Sequence, residues 1–186
     1  MSASTRVSPV IVRPADVAPQ PWANGRGTTR VLAARPGWRI SVAEIEGRMP
    51  FSPFLGADRL LIPLTPGGLA LEINGSTARV PQYSAITFRG EDHVLADTGS
   101  ARASVVNLMA RRSSGRMQWA IHRVSGAIRE EADAIVVLGG RVEVRGEAVP
   151  PGAVIRPGPR SLAVSPTEGV IAVMRVRENG RRQPRI

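Results

Sequence analysis

Leu60-Leu61-Ile62-Pro63-Leu64, Leu69-Ala70-Leu71-Glu72-Ile73 and Thr77-Ala78-Arg79-Val80 are short apolar runs, the last two joined by Asn74-Gly75. Asn-Gly favours a two-residue hairpin turn because both residues tolerate positive φ there, so the stretch reads as strand, turn, strand. The pattern returns in the second half as Ala134 to Leu138, a Gly139-Gly140 turn, Arg141 to Arg145, Pro150-Pro151-Gly152-Ala153-Val154 and a last strand near Val170 to Val176. The halves align at an offset of about 70 residues, Val105 to Met109 matching Val170 to Met174 and the Pro81 to Gly90 segment matching Pro151 to Gly158. A unit of that size suits a small antiparallel β-barrel, and two of them stacked cover sheet edges that each alone would expose. The expected fold is therefore all-β and two-lobed, with lobes 1–112 and 113–186 meeting near Ser113-Ser114-Gly115. One short helix is expected at Ala127 to Ala134, where Ile128, Glu130 and Glu131 are mildly amphipathic.

Composition agrees. The 186 residues are 42% hydrophobic, enough for a real core, and 19 Gly with 16 Pro favour many turns. No apolar run approaches the roughly 18 to 20 residues of a membrane span, which sets the expectation of a cytoplasmic protein with no membrane partner. Cysteine is absent, which excludes disulfides, thiolate metal sites and cysteine nucleophiles. Lysine is absent as well: all 25 basic side chains are Arg. That rules out a P-loop lysine and a lysine Schiff base.

A net charge of +10 raises the question of nucleic acid. The arginines are scattered from Arg6 to Arg185, and the three Trp, one Tyr and three Phe do not interleave with any basic stripe, so no specific nucleic-acid partner is expected. The densest cluster, Arg175, Arg177, Arg181, Arg182 and Arg185, reads as a frayed and solvated end.

Enzyme templates find little purchase. His93 and His122 stand 29 residues apart without a second His at ligand spacing, so no metal site is expected. Glu91-Asp92-His93 reads as an exposed acidic turn, because successive side chains on a loop rarely converge. No Gly-x-Ser-x-Gly elbow occurs, and Gly25-x-Gly27-x-x-Arg30 misses the dinucleotide fingerprint at its last position. Glu44, Glu46, Asp58 and Glu72 are the carboxylates that a barrel could bring together for acid-base work.

A polar constellation remains. Alternate side chains of a strand share a face, so Arg39 and Ser41 point together, opposite Trp38, Ile40 and Val42, while Asn107, Met109 and Arg111 share another face. If these faces meet inside a barrel, with Arg59 on a neighbouring strand and Asn24-Gly25 at the rim, they form an arginine-rich pocket whose guanidinium forks suit a carboxylate. The plainer alternative pairs Arg39 and Arg59 with Glu44 and Asp58 at the surface. Thr29 and Arg30 also resist explanation by packing. Trp22 and Gly27 read as structural, and Phe51, Phe54 and Met109 as core or pocket walls.

Pro21-Trp22-Ala23-Asn24-Gly25-Arg26-Gly27-Thr28-Thr29-Arg30, Trp38-Arg39-Ile40-Ser41-Val42-Ala43-Glu44-Ile45, Pro50-Phe51-Ser52-Pro53-Phe54-Leu55-Gly56, Asp58-Arg59 and Val105-Val106-Asn107-Leu108-Met109-Ala110-Arg111-Arg112 occur in an order that resembles the HutD/Ves family of two-lobed cupins. The resemblance covers roughly residues 19 to 112; the chain departs from it at Ala23, Arg26, Leu55 and Val105. It implies a metal-free, cofactor-free bicupin, a regulator linked to histidine utilisation or stress, with a small carboxylate such as formylglutamate as ligand. Together these readings set the expectation of a sensor or modulator that binds a small anionic metabolite. Arg39, Arg59 and Arg111 would supply charge, and Asn24, Arg30, Ser41 and Asn107 further contacts. A metal-independent isomerase or lyase of small sugars or acids is the alternative, and a purely structural, partner-binding protein a third class. Exposed barrel edges make a homodimer a reasonable expectation.

Overall fold

The computed structural model describes residues 9–22, 25, 27–126, 128–156 and 162–178. In chain order its strands begin with β1 (Val10–Val12), β2 (Gln20–Pro21), β3 (Gly27–Arg35), β4 (Trp38–Pro50) and β5 (Ala57–Pro63). Then come β6 (Leu69–Ile73), β7 (Ser76–Val80), β8 (Ile86–Arg89) and the 18-residue β9 (Val94–Arg111). The remainder are β10 (Gly115–Val124), β11 (Ile128–Glu130), β12 (Ala134–Val144), β13 (Glu147–Val149), β14 (Val154–Arg156) and β15 (Leu162–Glu178). The only helical turn among the described residues is a 3-10 turn at Pro14–Asp16, and every strand pairing described is antiparallel.

The chain divides into two compact units. Gln20–Gln118 with Val176–Ile186 forms one; Met1–Pro19 with Trp119–Arg175 forms the other. In the Gln20–Gln118 unit the strands run β2-β3-β4-β9-β5-β8, with β6 pairing both β7 and β9. The hairpin expected at Asn74-Gly75 is present: Ile73 faces Ser76, and Asn74 and Gly75 have φ of 50° and 82°. Inside lie Ala43, Ile45, Met49, Leu61, Leu69, Leu71, Val80, Phe88 and Val105. β5 is buried on both faces, since Leu60, Leu61 and Ile62 are all fully enclosed.

The Trp119–Arg175 unit packs Val124, Ile135, Val137, Val142, Val144, Val149, Ile155, Ile171 and Val173 around β12, which pairs with β13, β14 and β15. Here the structure corrects three expectations. Gly139-Gly140 is no turn: β12 runs through it with a register shift against β15, because a Cβ on Gly140 would lie 2.2 Å from the Glu168 carbonyl oxygen and only glycine permits that approach. The chain reverses instead at Arg145-Gly146, where both φ values are positive and Val144 faces Glu147. The helix expected from Ala127 is replaced at Ile128–Glu130 by a strand paired with Leu162–Val164, since eight residues nucleate a helix poorly beside an open strand edge. Arg175 and Arg177 belong to β15 and not to a frayed end: Arg175 donates to the Glu131 carbonyl, and Arg177 Nε to Gln118 Oε1 at 2.7 Å. Arg181, Arg182 and Arg185 lie outside the described residues.

Candidate functional site: an arginine pair at a barrel mouth

Strand register sets this site. β9 runs between β4 and β5, so that Arg39 faces Met109, Met109 faces Arg59 and Arg59 faces Phe88 in one row across the sheet. Two residues further along each strand, on the same face, Ser41, Asn107, Leu61 and Ile86 form the next row. A third row is Ala43, Val105 and Pro63. In the opposite direction Arg111 faces Ala57. Depth follows the same order: Arg111 is exposed, Arg39 and Met109 are half-buried, and Arg59, Ser41 and Asn107 are buried above an apolar floor.

Arg59 is held by ring faces. Its guanidinium carbon lies 4.9 Å from the centre of Phe88, 5.0 Å from Phe51 and 5.3 Å from Phe54, and Nη1 donates to the Ser52 carbonyl at 3.3 Å. Arg39 lies 5.1 Å from the same Phe54 ring, and its Nη2 reaches Met109 Sδ at 3.4 Å. Such contacts favour a cation through the ring quadrupole but bring no countercharge. Among the described residues no carboxylate pairs with either arginine. Arg59 is only 5% exposed and its Nε has no hydrogen-bond partner. Burial, and after it the charge of Arg39, lowers the pKa of the Arg59 guanidinium to about 10. Asn107 Oδ1 is likewise buried and unpaired. Beside this row opens a hollow of about 720 Å³, lined among others by Arg39, Phe54, Met109, Arg111 and Ser114.

Five of the seven residues expected from sequence therefore share one face: Arg39, Ser41, Arg59, Asn107 and Arg111. Arg30 does not join them. It pairs with Val42, which puts it on the other face of the sheet, beyond a register shift between Val31 and Ala33 that alternation in the sequence does not reveal. Asn24 lies outside the described residues. Trp22 has a packing role: its Nε1 donates to Thr29 Oγ1 at 2.7 Å, its ring meets Phe51 edge-on, and a Cβ on Gly27 would sit 2.9 Å from it. Phe88 was not expected at the site; only its register opposite Arg59 brings it there.

The carboxylates are engaged elsewhere. Glu46 pairs with Arg102, Glu72 with Arg48 and Asp58 with Arg112, which removes Asp58 as a partner for Arg59. Glu44 faces Thr28 and Ser104, on the opposite side of β4 from Arg39. Glu91 turns away from Asp92 and His93, which share Asn74. Glu91 accepts from Arg112 and from Gly56 N–H, Asp92 accepts from Asn74 and from Arg89 N–H, and His93 N–H donates to Asn74 Oδ1. The Arg112 hydrogen bond, followed by that of Gly56, holds the Glu91 carboxyl at about 2, and the same pairing raises Arg112.

Two small antiparallel barrels, one with polar groups graded by depth from its mouth, define a two-lobed cupin. The same fold occurs in the cupin 2 conserved barrel domain protein of Leptotrichia buccalis, at a TM-score of 0.59 and 12% identity over 92% of this chain and 97% of that one. The chain belongs to the HutD family, which it matches over residues 14–154. It is 30% identical over 119 residues to an uncharacterised 21.2 kDa protein in the hutC 3′ region of Pseudomonas putida, covering 59% of this chain and 63% of that protein. To protein Ves of Citrobacter koseri it is 34% identical over 99 residues, 49% and 52% of the two chains. It thus spans between half and two thirds of the length of these curated relatives. HutD of Pseudomonas fluorescens SBW25 shares the fold at a TM-score of 0.74, with 22% identity over 91% of this chain and all of that one.

Proposed function

We propose that this protein binds a small carboxylate-bearing metabolite at the mouth of the Gln20–Gln118 barrel and acts as a sensor or modulator. A link to histidine utilisation is suggested by the hutC-region relative, and formylglutamate is the first candidate. One observation carries the reading: Arg39 and Arg59 lie side by side with no anion among the described residues to balance them. Two like charges placed together and partly desolvated raise the energy of the empty site, and a carboxylate relieves that cost while offering two oxygens to guanidinium forks. Occupancy is the output of such a site: of the carboxylates considered for acid-base work, Glu46, Asp58 and Glu72 are held by other arginines, and Glu44 lies on the opposite side of β4 from Arg39.

A thermal-shift screen of the full chain against formylglutamate, urocanate, glutamate and sugar acids, with divalent metals and a chelator as controls, tests this. A carboxylate at about 100 times its Kd adds roughly 2.7 kcal/mol of stability. Arg39→Ala and Arg59→Met are expected to remove that gain, and Arg59→Met to leave the ligand-free melting point within a few degrees, since its thioether stem keeps contact with the rings. Absence of any carboxylate effect, or a full effect in Arg59→Met, overturns the reading.

A further inference from the structure

We infer that Met109 is a site of reversible oxidation, whose sulfoxide oxygen sits as an acceptor between Arg39 and Arg59. Met109 lies between the two arginines in their row, facing Arg39 on β4 and Arg59 on β5. Its sulfur already accepts from Arg39 Nη2 at 3.4 Å, although a thioether is a weak acceptor. Of the five methionines, Met49 and Met174 are each 1% exposed, and Met1 lies outside the described residues. Met109 is half-buried and lines the hollow of about 720 Å³, so a molecule as small as hydrogen peroxide reaches it without unfolding. Met117 is half-buried too, on β10 and outside this row.

The oxidant is hydrogen peroxide, and the step moves two electrons. A sulfur lone pair attacks one peroxide oxygen; the S–O bond forms as the O–O bond breaks, and the departing hydroxide takes the proton of the transferred oxygen and leaves as water. Sulfur is oxidised, and peroxide is reduced to the sulfoxide oxygen and water. Arg39 Nη2, already at the sulfur, donates to the oxygen on which negative charge develops. In an apolar core a sulfoxide is disruptive, because nothing receives its oxygen. Here the surroundings are reversed: Arg39 and Arg59 have no carboxylate partner among the described residues, and the sulfoxide oxygen is a far stronger acceptor than the thioether it replaces. Oxidation therefore stabilises the ligand-free barrel and competes with an incoming carboxylate. The competition rests on the anion-binding reading above; the stabilisation does not. Methionine sulfoxide reductase restores the thioether, two thiols becoming a disulfide as the oxygen leaves as water.

Peroxide treatment of the full chain, read by peptide mass spectrometry and by melting temperature, tests this in the parent and in Met109→Leu, which keeps the side-chain volume and has no sulfur to oxidise. In the parent, Met109 is expected to gain its oxygen before Met49 and Met174, and the treated protein to melt a few degrees above its untreated form. Treatment is expected not to raise the melting point of Met109→Leu, in which Met117 still oxidises. Where formylglutamate binds the untreated parent, oxidation is expected to weaken it about tenfold, and the reductase to restore it. Oxidation of Met109 only together with Met49 and Met174, no rise in the parent's melting point, or an equal rise in Met109→Leu overturns the proposal, as does formylglutamate affinity unchanged by oxidation. Failure of every carboxylate to bind overturns the anion-binding reading alone, and the melting comparison then decides for Met109.

Discussion

The two barrels use the same strand grammar and fill their interiors differently. The Trp119–Arg175 unit closes on aliphatic side chains, chiefly valine and isoleucine, with no aromatic ring and no fully buried charged residue among its described core residues. The Gln20–Gln118 unit has a comparable apolar floor, but Ser41, Arg59 and Asn107, the buried polar residues among those described, all lie in it. A second hollow, of about 400 Å³, exists in the Trp119–Arg175 unit, yet Arg123 and Glu168 give it both signs of charge. Unpaired buried polar atoms occur in both barrels, singly at Arg156 Nε on β14 of the Trp119–Arg175 unit, and in adjacent rows at Arg59 Nε and Asn107 Oδ1 in the Gln20–Gln118 unit.

The contrast breaks most visibly if charge is tolerated in the aliphatic interior. Val137→Arg, at a fully buried position of β12, is expected to cost at least about 4 kcal/mol in urea unfolding, because no ring or carbonyl there is arranged to receive it. A loss below about 1 kcal/mol would mean the two interiors differ less than their side chains suggest. A smaller effect probes the frame of the charged mouth. A Cβ on Gly90 would lie 1.9 Å from the Phe54 carbonyl oxygen, so Gly90→Ala displaces the loop carrying the ring shared by Arg39 and Arg59. It is expected to cost about 1 to 3 kcal/mol and to weaken carboxylate binding along with stability; stability loss with unchanged binding would separate the Phe54 loop from the site. The smallest effect belongs to the rim. Because Glu91 is lowered from 4.5 to about 2 on folding, its contribution is fully present above pH 4.5 and is lost as pH falls towards 2. Glu91→Gln should therefore melt slightly below the parent at pH 7 and alongside it near pH 2, and a gap that persists in acid would show that charge is not its source.

What was legible in the sequence was what local chemistry dictates. Asn74-Gly75 declared its hairpin because both residues accept positive φ. Alternation put Arg39 with Ser41 and Asn107 with Met109 on shared faces, and register then brought those faces together. Illegible were the features set by a partner strand. Gly139-Gly140 resembles a turn until the Glu168 carbonyl is seen against it, and Arg30 resembles a pocket residue until the shift after Val31 reverses its face. Phe88 and the Arg112–Glu91 pairing carried no signal, because each depends on segments distant along the chain.

Asn107 and Met109 sit on β9, and the stretch Val105–Ala110 is zipped to β4 along one edge and, through Asp58–Pro63, to β5 along the other. Peeling it away requires two ladders to separate at once, so this is the part of the barrel that lets go last. The strand face that presents Asn107 and Met109 is thus fixed by the ladders on both sides of it and needs no other segment to hold it.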